Sequence, residues 1–513
     1  MIDVLFITPN NSKGIYQKLS NNFSAIETPT WSLLLAESCR SIGFKVAILD
    51  TTAEQLSDEE AYQKILNYNP RLLCFVVYGQ NVNAGTTSMS GAVRLSNFLK
   101  KKKVTTLISF VGSHVQSLPI QTIKDEESID FVFTNEGVYS LREILSLKKI
   151  TLEKIENIKG LCFLKNGKPF MTPPQITVPQ SKMDIDLPGY AWDLLPFRSK
   201  PLDLYRSPMW HAEYDDSKRT PYAAIQTSLG CRFGCNFCMI NIINRNDNNE
   251  IGVSSDYSNM RWWSTDFIIK EFDKLINLGV KTIRIVDEMF MLNPKYYIPL
   301  CEELAKRNKN DELRMWAYSR IDTIKRFETL NLVRRAGIKW LCLGIESSSR
   351  EVRLEVSKGK FEDVDIKEVV KKVHEADIDI MANYIFGLPG DDMEKMQETL
   401  DLSIELNTLG WNAYAAMALP GSQLYRDAIK KKYPLPKTYE GYSFHSYETQ
   451  PLPTEFLTPA EILDYRDKSF IKYHSNKKFL EKIKKKFGMK AVSNIKEINK
   501  IKLKRKILEE PST

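Results

Sequence analysis

The sequence predicts an α/β protein with two sheets in series: a doubly wound parallel sheet, then a partial (βα)6 TIM-like barrel, then a small helical C-terminal region. Three observations carry this reading. Short apolar runs alternate with amphipathic helical patterns in residues 1–148 and again in 216–430. A proline-bearing stretch of different texture, 149–215, separates the two alternations. The composition, 43% hydrophobic and 27% charged over 513 residues, is that of ordinary folded protein and excludes disorder and low-complexity scaffolds.

In the first alternation the strands read Asp3–Thr8, Lys45–Asp50, Leu72–Gly79, Thr105–Ser113 and Phe131–Asn135, with helical patterns near Thr30–Ile42, Asp58–Tyr68, Thr87–Lys101 and Val138–Leu145. Continuous apolar strands joined by helices predict a parallel sheet covered on both faces. Such sheets bind ligands beyond the carboxyl ends of their strands. Those ends are polar or glycine-rich here: Thr8-Pro9-Asn10, Tyr78-Gly79-Gln80-Asn81, Gly112-Ser113-His114 and Asn135-Glu136-Gly137. From Met171 to Gly189 two proline-containing runs suggest a linker crossing a surface.

The second alternation reads Tyr222–Thr227, Thr282–Val286, Arg314–Ala317, Trp340–Gly344, Ile380–Ile385 and Asn412–Ala418 as strands. Helices are expected near Thr265–Leu278, Tyr296–Lys306, Ile324–Ala336, Asp363–Ala376 and Met393–Leu406. Six βα units without a fresh phosphate-binding fingerprint fit a barrel, whose chemistry sits at the strand C-terminal rim. That rim is polar at every strand, with Asp287-Glu288, Ser319-Arg320 and Glu346-Ser347 among its residues. Residues 431–513 begin with the aromatic loop Tyr439–Tyr447, a possible substrate cap with Tyr442 and His445 as candidate contacts, and end in lysine-rich helices.

The formal charge is +8, but from Ile471 onward fourteen Lys or Arg face four acidic residues, so the excess is a property of the tail. A solvated helical face explains it most simply, and nucleic acid is not expected as a partner. The longest apolar runs, such as Leu72–Tyr78, are strand-sized, so no membrane span is expected. The opening strand carries no basic leader, and the expected location is the cytoplasm.

Eight cysteines in so long a chain are not a disulfide framework. Five are dispersed in apolar surroundings and read as core: Cys39, Cys74, Cys162, Cys301 and Cys342. Cys231, Cys235 and Cys238 share one tight loop after the first barrel strand. Three thiolates there can hold three irons of a cubane and leave the fourth open. Structural zinc would want a fourth ligand nearby, and only His211 lies within reach in sequence; a disulfide would orphan one thiol.

The Cys-x-x-x-Cys-x-x-Cys spacing at this position resembles the signature of the radical S-adenosylmethionine (SAM) superfamily, from about Pro221 to Gly421. The resemblance implies that Cys231, Cys235 and Cys238 ligate a 4Fe-4S cluster whose fourth iron is chelated by SAM, with Phe237 beside the adenine. It implies contacts to the SAM amino group from Asp287 and Glu288, though the two glycines that often precede such an acid are missing. Arg320 would meet the SAM carboxylate, and Gly344-Ile345-Glu346-Ser347 resembles the segment that contacts the ribose, placing Glu346 and Ser347 there.

A doubly wound domain ahead of the barrel resembles the cobalamin-binding branch of that family. Gly112-Ser113-His114 is similar to its Gly-Gly-x-His pattern, and Asn135-Glu136-Gly137 to its Gly-Glu-Gly. The linker's Asp186–Pro196 run is similar to the segment before its barrel. Gln80, Asn81, Gly112, Ser113, His114, Glu136 and Gly137 are therefore expected to contact cobalamin. The Asp-x-His-x-x-Gly motif that supplies a lower-face cobalt ligand elsewhere does not occur, and no Gly-x-Gly-x-x-Gly follows the first strand.

The resemblance implies a cobalamin-dependent radical SAM enzyme, a methyltransferase acting on an unactivated carbon of a small-molecule or biosynthetic-intermediate substrate, with an electron donor such as flavodoxin or ferredoxin. One alternative is a rearrangement or cyclisation with the same cofactors and no methyl transfer. Another is a non-catalytic Fe–S and corrinoid sensor, which would not need the equipped barrel rim. A third, RNA modification, would show as salt-dependent RNA binding.

Overall fold

A computed structural model describes residues 1–10, 12–20, 24–79, 82–198, 200–202, 204–207 and 221–509. The first sheet contains β1 (Ile2–Thr8), β2 (Val46–Asp50), β3 (Pro70–Val76), β4 (Ile108–Val111) and β5 (Phe131–Phe133), in the order β2-β1-β3-β4-β5 and all parallel. Its two faces bury separate apolar layers: Phe6, Trp31, Leu34 and Cys74 on one, Leu5, Phe75, Met89 and Leu95 on the other. The chain leaves β1 toward β2 on one side and returns to β3 on the other. Strand order therefore reverses between β1 and β3, the position where doubly wound sheets open a crevice.

Helix signals in this half are local. Ser57 accepts a hydrogen bond from Glu60 N while the Glu60 carboxylate accepts from Ser57 N, a reciprocal cap that starts the Asp58–Tyr68 helix where the sequence places it. At Gly112, after β4, a Cβ would stand 2.4 Å from the Val77 carbonyl oxygen, so only glycine allows the chain to pass there. The sheet also runs beyond residue 148. β6 (Leu161–Lys165) pairs antiparallel with β5, and β7 (Lys168–Met171) extends it, within the stretch that the prolines mark as linker. The turn at Asn166-Gly167 is a two-residue hairpin, a local signal that the linker reading passed over.

The second sheet has the order β15-β14-β13-β12-β11-β8, six parallel strands forming an open barrel: β8 (Tyr222–Ile225), β11 (Thr282–Ile285), β12 (Arg314–Arg320), β13 (Ile338–Glu346), β14 (Asp379–Phe386) and β15 (Gly410–Ala415). Between β8 and β11 a small antiparallel pair, β9 (Ser228–Cys231) and β10 (Asn259–Trp262), carries the first cysteine at its end. The expected barrel helices are present, with the Met393–Leu406 helix at its expected bounds; the Ile324–Ala336 pattern forms a shorter helix, Leu330–Arg335, because a 3₁₀ turn at Phe327–Thr329 takes its start.

Both open edges are covered. At β8, Thr28 of the N-terminal domain accepts from Ala224 N through Oγ1 at 2.8 Å. At β15, Arg466 on the Pro459–His474 helix donates to the Ala413 carbonyl at 2.7 Å, and Tyr473 stacks on Trp411. Edges satisfied in this way offer no template for a further strand. Two buried ion pairs join the domains: Arg261 of β10 with Glu136 at 2.7 Å, and Arg284 of β11 with Glu27 at 2.7 Å. Among the described residues no helix is long and apolar enough to cross a membrane.

Candidate active site

The barrel rim and the N-terminal domain together line a cleft of about 410 Å³, a size that suits a small ligand. Cys231, Cys235 and Cys238 all line it, together with Phe237, Glu288, Arg320 and Glu346 from the rim. Ile15, Tyr16, Asn83, Ala84 and Thr87 of the N-terminal domain form the facing wall. Tyr442, Ser443, Phe444 and His445 close the side.

The cysteine loop is shaped by backbone bonding. Asn241 accepts from Cys231 N at 2.7 Å and donates to the Phe233 carbonyl at 3.0 Å, which curls the loop back on itself. Cys238 N donates to the Cys235 carbonyl at 3.2 Å. All three thiols are free. Burial pushes Cys235 up to about 11 and Cys231 up to about 12, and raises Cys238 further, so metal binding there must displace protons.

Among the described residues no three His, Cys, Asp or Glu side chains close on a single metal ion. Tetrahedral zinc with Zn–S bonds of about 2.3 Å requires sulfurs roughly 3.8 Å apart. A cubane puts each thiolate on a different iron and needs them spread. Three free thiols that line one cavity are the donor set a cluster with one open iron takes. His211, the histidine weighed as a zinc ligand, lies outside the described residues.

The carboxylates divide into two kinds. Glu288 and Glu346 line the cavity, and among the described residues neither receives a hydrogen bond. Burial pushes each up to about 7, partly offset by Arg284 for Glu288 and by Arg320 for Glu346. A register shift at the end of β13 and a left-handed backbone, φ 65°, bring Glu346 to the rim. A Cβ at Gly344 would stand 2.5 Å from the Glu346 carboxylate, so the glycine leaves room for it. Asp287, by contrast, accepts from Thr227 N, Thr227 Oγ1 and Ser228 Oγ, each at 2.6 Å. It ties the β8–β9 junction to β11 and is not part of the cavity lining.

Two further expectations are corrected in the same way. Ser347 is fully buried, bonding Thr399 Oγ1 and Ser349 N, so it shapes the turn after β13. Arg320 keeps its place at the rim, but its fork is spent on Asp322, at 2.6 and 2.7 Å, and on the Lys360 carbonyl. Its Nη1 donates to Cys235 Sγ at 3.8 Å, and the guanidinium lies over the Phe233 ring at 3.9 Å. It is a neighbour of the cysteine loop, with no bidentate face left for a carboxylate.

The residues expected at cobalamin are mostly interior. Ser113 donates to the Val82 carbonyl, and His114 bonds Thr86 Oγ1 at 3.1 Å with its ring edge-on to Tyr439. Burial holds His114 neutral, at about 4. Glu136 is consumed by Arg261 and by Val178 N, and Gly137 starts the Val138–Ser146 helix with φ 81°. Gln80 and Asn81 lie outside the described residues. The recess in this domain opens instead at the β1–β3 reversal, lined by Thr8, Glu27, Trp31, Ser32, Tyr78 and Gly79. It shares Ile15, Tyr16, Ala84 and Thr87 with the main cavity, so the two adjoin.

Tyr442 and His445 of the aromatic loop line the cavity. His445 packs against Tyr16 at 5.6 Å, and burial pushes its imidazole down to about 3. Buried Arg505 holds the loop from behind through the Ser446 and Phe444 carbonyls, so one member of the basic tail is structural. Asn83 was missed by the sequence reading, which followed the β3 end only as far as Asn81.

The family model of the radical SAM superfamily matches residues 225–403. An uncharacterized methyltransferase of Pyrococcus horikoshii is 25% identical over 401 residues, 78% of each chain. The anaerobic magnesium-protoporphyrin IX monomethyl ester cyclase of Cereibacter sphaeroides is 22% identical over 470 residues, 90% of this chain and 68% of that one. Two kinds of solved structure share the fold. The cobalamin-dependent SAM radical enzyme OxsB, with aqua-cobalamin and SAM bound, superposes with a TM-score of 0.65 at 15% identity, covering 97% of this chain and 72% of that one. The radical SAM methyltransferase TsrM from Kitasatospora setae, with cobalamin and a 4Fe-4S cluster bound, gives 0.60 at 16% identity, covering 83% and 78%. Residues 225–403 thus match the radical SAM family model, and the barrel with the α/β domain before it shares the fold of the solved OxsB and TsrM structures.

Proposed function

We propose that this chain is a cobalamin-dependent radical SAM enzyme that methylates an unactivated carbon of a small molecule, in the cytoplasm, with electrons from a donor such as flavodoxin or ferredoxin. One observation carries the reading: three free thiols on one barrel loop face the N-terminal domain across a single cavity that both domains build. Cys231, Cys235 and Cys238 would hold the cluster, and the recess at the β1–β3 reversal would take the corrinoid. Bound together, these groups and SAM supply a 5′-deoxyadenosyl radical for hydrogen abstraction and a methyl group for transfer.

The chain's own part is to bind and to exclude water. Glu288 and Glu346 line the rim and, among the described residues, receive no hydrogen bond, which suits them to the amino group and ribose hydroxyls of SAM. Phe237, Met289 and Ile385 line the cavity with apolar surface, which keeps water from a radical. Tyr442 and His445 stand at the side where a substrate would complete the enclosure. His445 stays neutral and offers a hydrogen bond without a charge.

The test is anaerobic reconstitution followed by product counting in the presence of reductant, SAM and hydroxocobalamin. Methyl transfer yields S-adenosylhomocysteine beside 5′-deoxyadenosine. The cyclase relative favours one rival, radical chemistry without methylation, which yields 5′-deoxyadenosine alone. Cys235→Ala should abolish cluster absorbance and all SAM cleavage, and wild-type protein that cleaves no SAM would refute the reading.

A further inference from the structure

Among the described residues one side chain of the N-terminal domain hydrogen-bonds the cysteine trio. Asn83 sits in the short turn Val82–Ala84 that follows β3. Its Oδ1 accepts from Met239 N at 3.0 Å, the residue after the last cysteine, and both amide atoms approach Cys238 Sγ: Oδ1, which accepts from the thiol, at 3.8 Å and Nδ2 at 3.9 Å; a thiolate has no proton to donate and keeps only the bond from Nδ2. The remaining bonds to these sulfurs come from the barrel: Phe233 N to Cys231, Arg320 to Cys235 and Ile240 N to Cys238.

The turn that carries Asn83 is also a wall of the other recess. Ala84, next in the chain, and Thr87, one helical turn on, line both the recess at the β1–β3 reversal and the main cavity. Ser113 Oγ pins the turn from below through the Val82 carbonyl at 2.5 Å. A group filling the first recess therefore lies against the segment that carries Asn83.

We propose that Asn83 is the positioning residue through which occupancy of the first recess sets the reduction potential of the cluster. The inference rests on the cluster and corrinoid reading above. A cluster gains one electron from an external reductant, and the added negative charge spreads over its sulfurs. An amide N–H directed at a ligand sulfur stabilises that reduced form and raises the potential. With the recess filled, the turn has less freedom, and the bond is held for more of the time than with the recess empty. The electron then enters readily only when the methyl carrier is in place, which limits idle cleavage of SAM.

The experiment is a potentiometric titration of the full-length reconstituted protein with a titanium(III) reductant, read by electron paramagnetic resonance of the reduced cluster. It is run with and without hydroxocobalamin, on wild type, Asn83→Leu and Asn83→Asp. The aspartate keeps the volume and the acceptor for Met239 N but loses the donor to sulfur. Loading should raise the reduced-to-oxidised ratio of wild type about tenfold at fixed potential, roughly 59 mV for one electron. Both variants should bind corrinoid, start lower than wild type and show no such rise. A wild-type potential indifferent to bound corrinoid, or variants that respond as wild type does, would overturn the inference alone. Wild type that retains no corrinoid by absorbance would overturn the functional reading, and the coupling with it.

Discussion

Among the described residues Glu288 and Glu346 stand at the rim without hydrogen-bond donors, and burial pushes both up to about 7. Below that pH each is neutral and loses its attraction for a cationic ligand; above it each is charged. The sign follows directly: SAM affinity should rise with pH from 6 to 8. Equilibrium binding to the reconstituted protein should show a several-fold gain over that range, and Glu288→Gln with Glu346→Gln should flatten it. Folding runs the opposite way. A carboxylate whose folded pKa exceeds its unfolded value weakens the fold as pH rises between the two. Glu288→Gln should therefore raise the stability of the cofactor-free protein at pH 8, by about 1–2 kcal/mol in urea unfolding. A loss of stability there would mean that Glu288 is paired in solution.

At the scale of elements, the strands and most helices could be read from sequence because their signals are local: apolar runs, reciprocal caps and terminal glycines. The cysteine loop could be read for the same reason, since its spacing is contiguous. What could not be read is how polar strand ends are spent. Asp287 and Glu288 are adjacent, yet one is locked to Thr227 and Ser228 and the other faces the cavity, a difference fixed by partners sixty residues away. Glu136 looked like a ligand contact because it follows a strand, but its partner Arg261 comes from the antiparallel β9–β10 pair, which the sequence did not announce. That pair gives a test. Both side chains are almost wholly inaccessible, so Glu136→Ala leaves a buried guanidinium unpaired and should cost about 3–5 kcal/mol. Adding Arg261→Met should recover much of that loss. A double variant no more stable than the single would show that Arg261 is held by Val178 and Asn244 without its carboxylate.

For the whole molecule, the decisive relation is that the cavity wall formed by Tyr439–Tyr447 is fastened to both ends of the chain's architecture. Toward the N-terminal domain, Tyr439 donates to Glu126 at 2.7 Å, Ser90 to Glu440, Gln17 to the His445 carbonyl at 2.7 Å and Ser443 to the Ile15 carbonyl at 3.2 Å. Toward the C-terminal helices, Arg505 holds it through buried carbonyls and is itself held by Asp467. A wall tied to one domain alone would part when the domains shift; one tied to both keeps the cavity closed. Tyr439→Phe with Glu440→Ala removes two of the bonds to the N-terminal domain and leaves the Arg505 anchor intact. At about 1 kcal/mol each, their loss should enlarge the open population by roughly thirtyfold. Water then reaches the radical, and SAM is cleaved without transfer. The ratio of 5′-deoxyadenosine to methylated product should rise at least tenfold, SAM affinity should hold within twofold, and limited proteolysis should newly cut within 439–447. An unchanged product ratio in a protein that is cut there would show that the loop can open without admitting water, and that closure rests on the rings of Tyr16 and His445 instead.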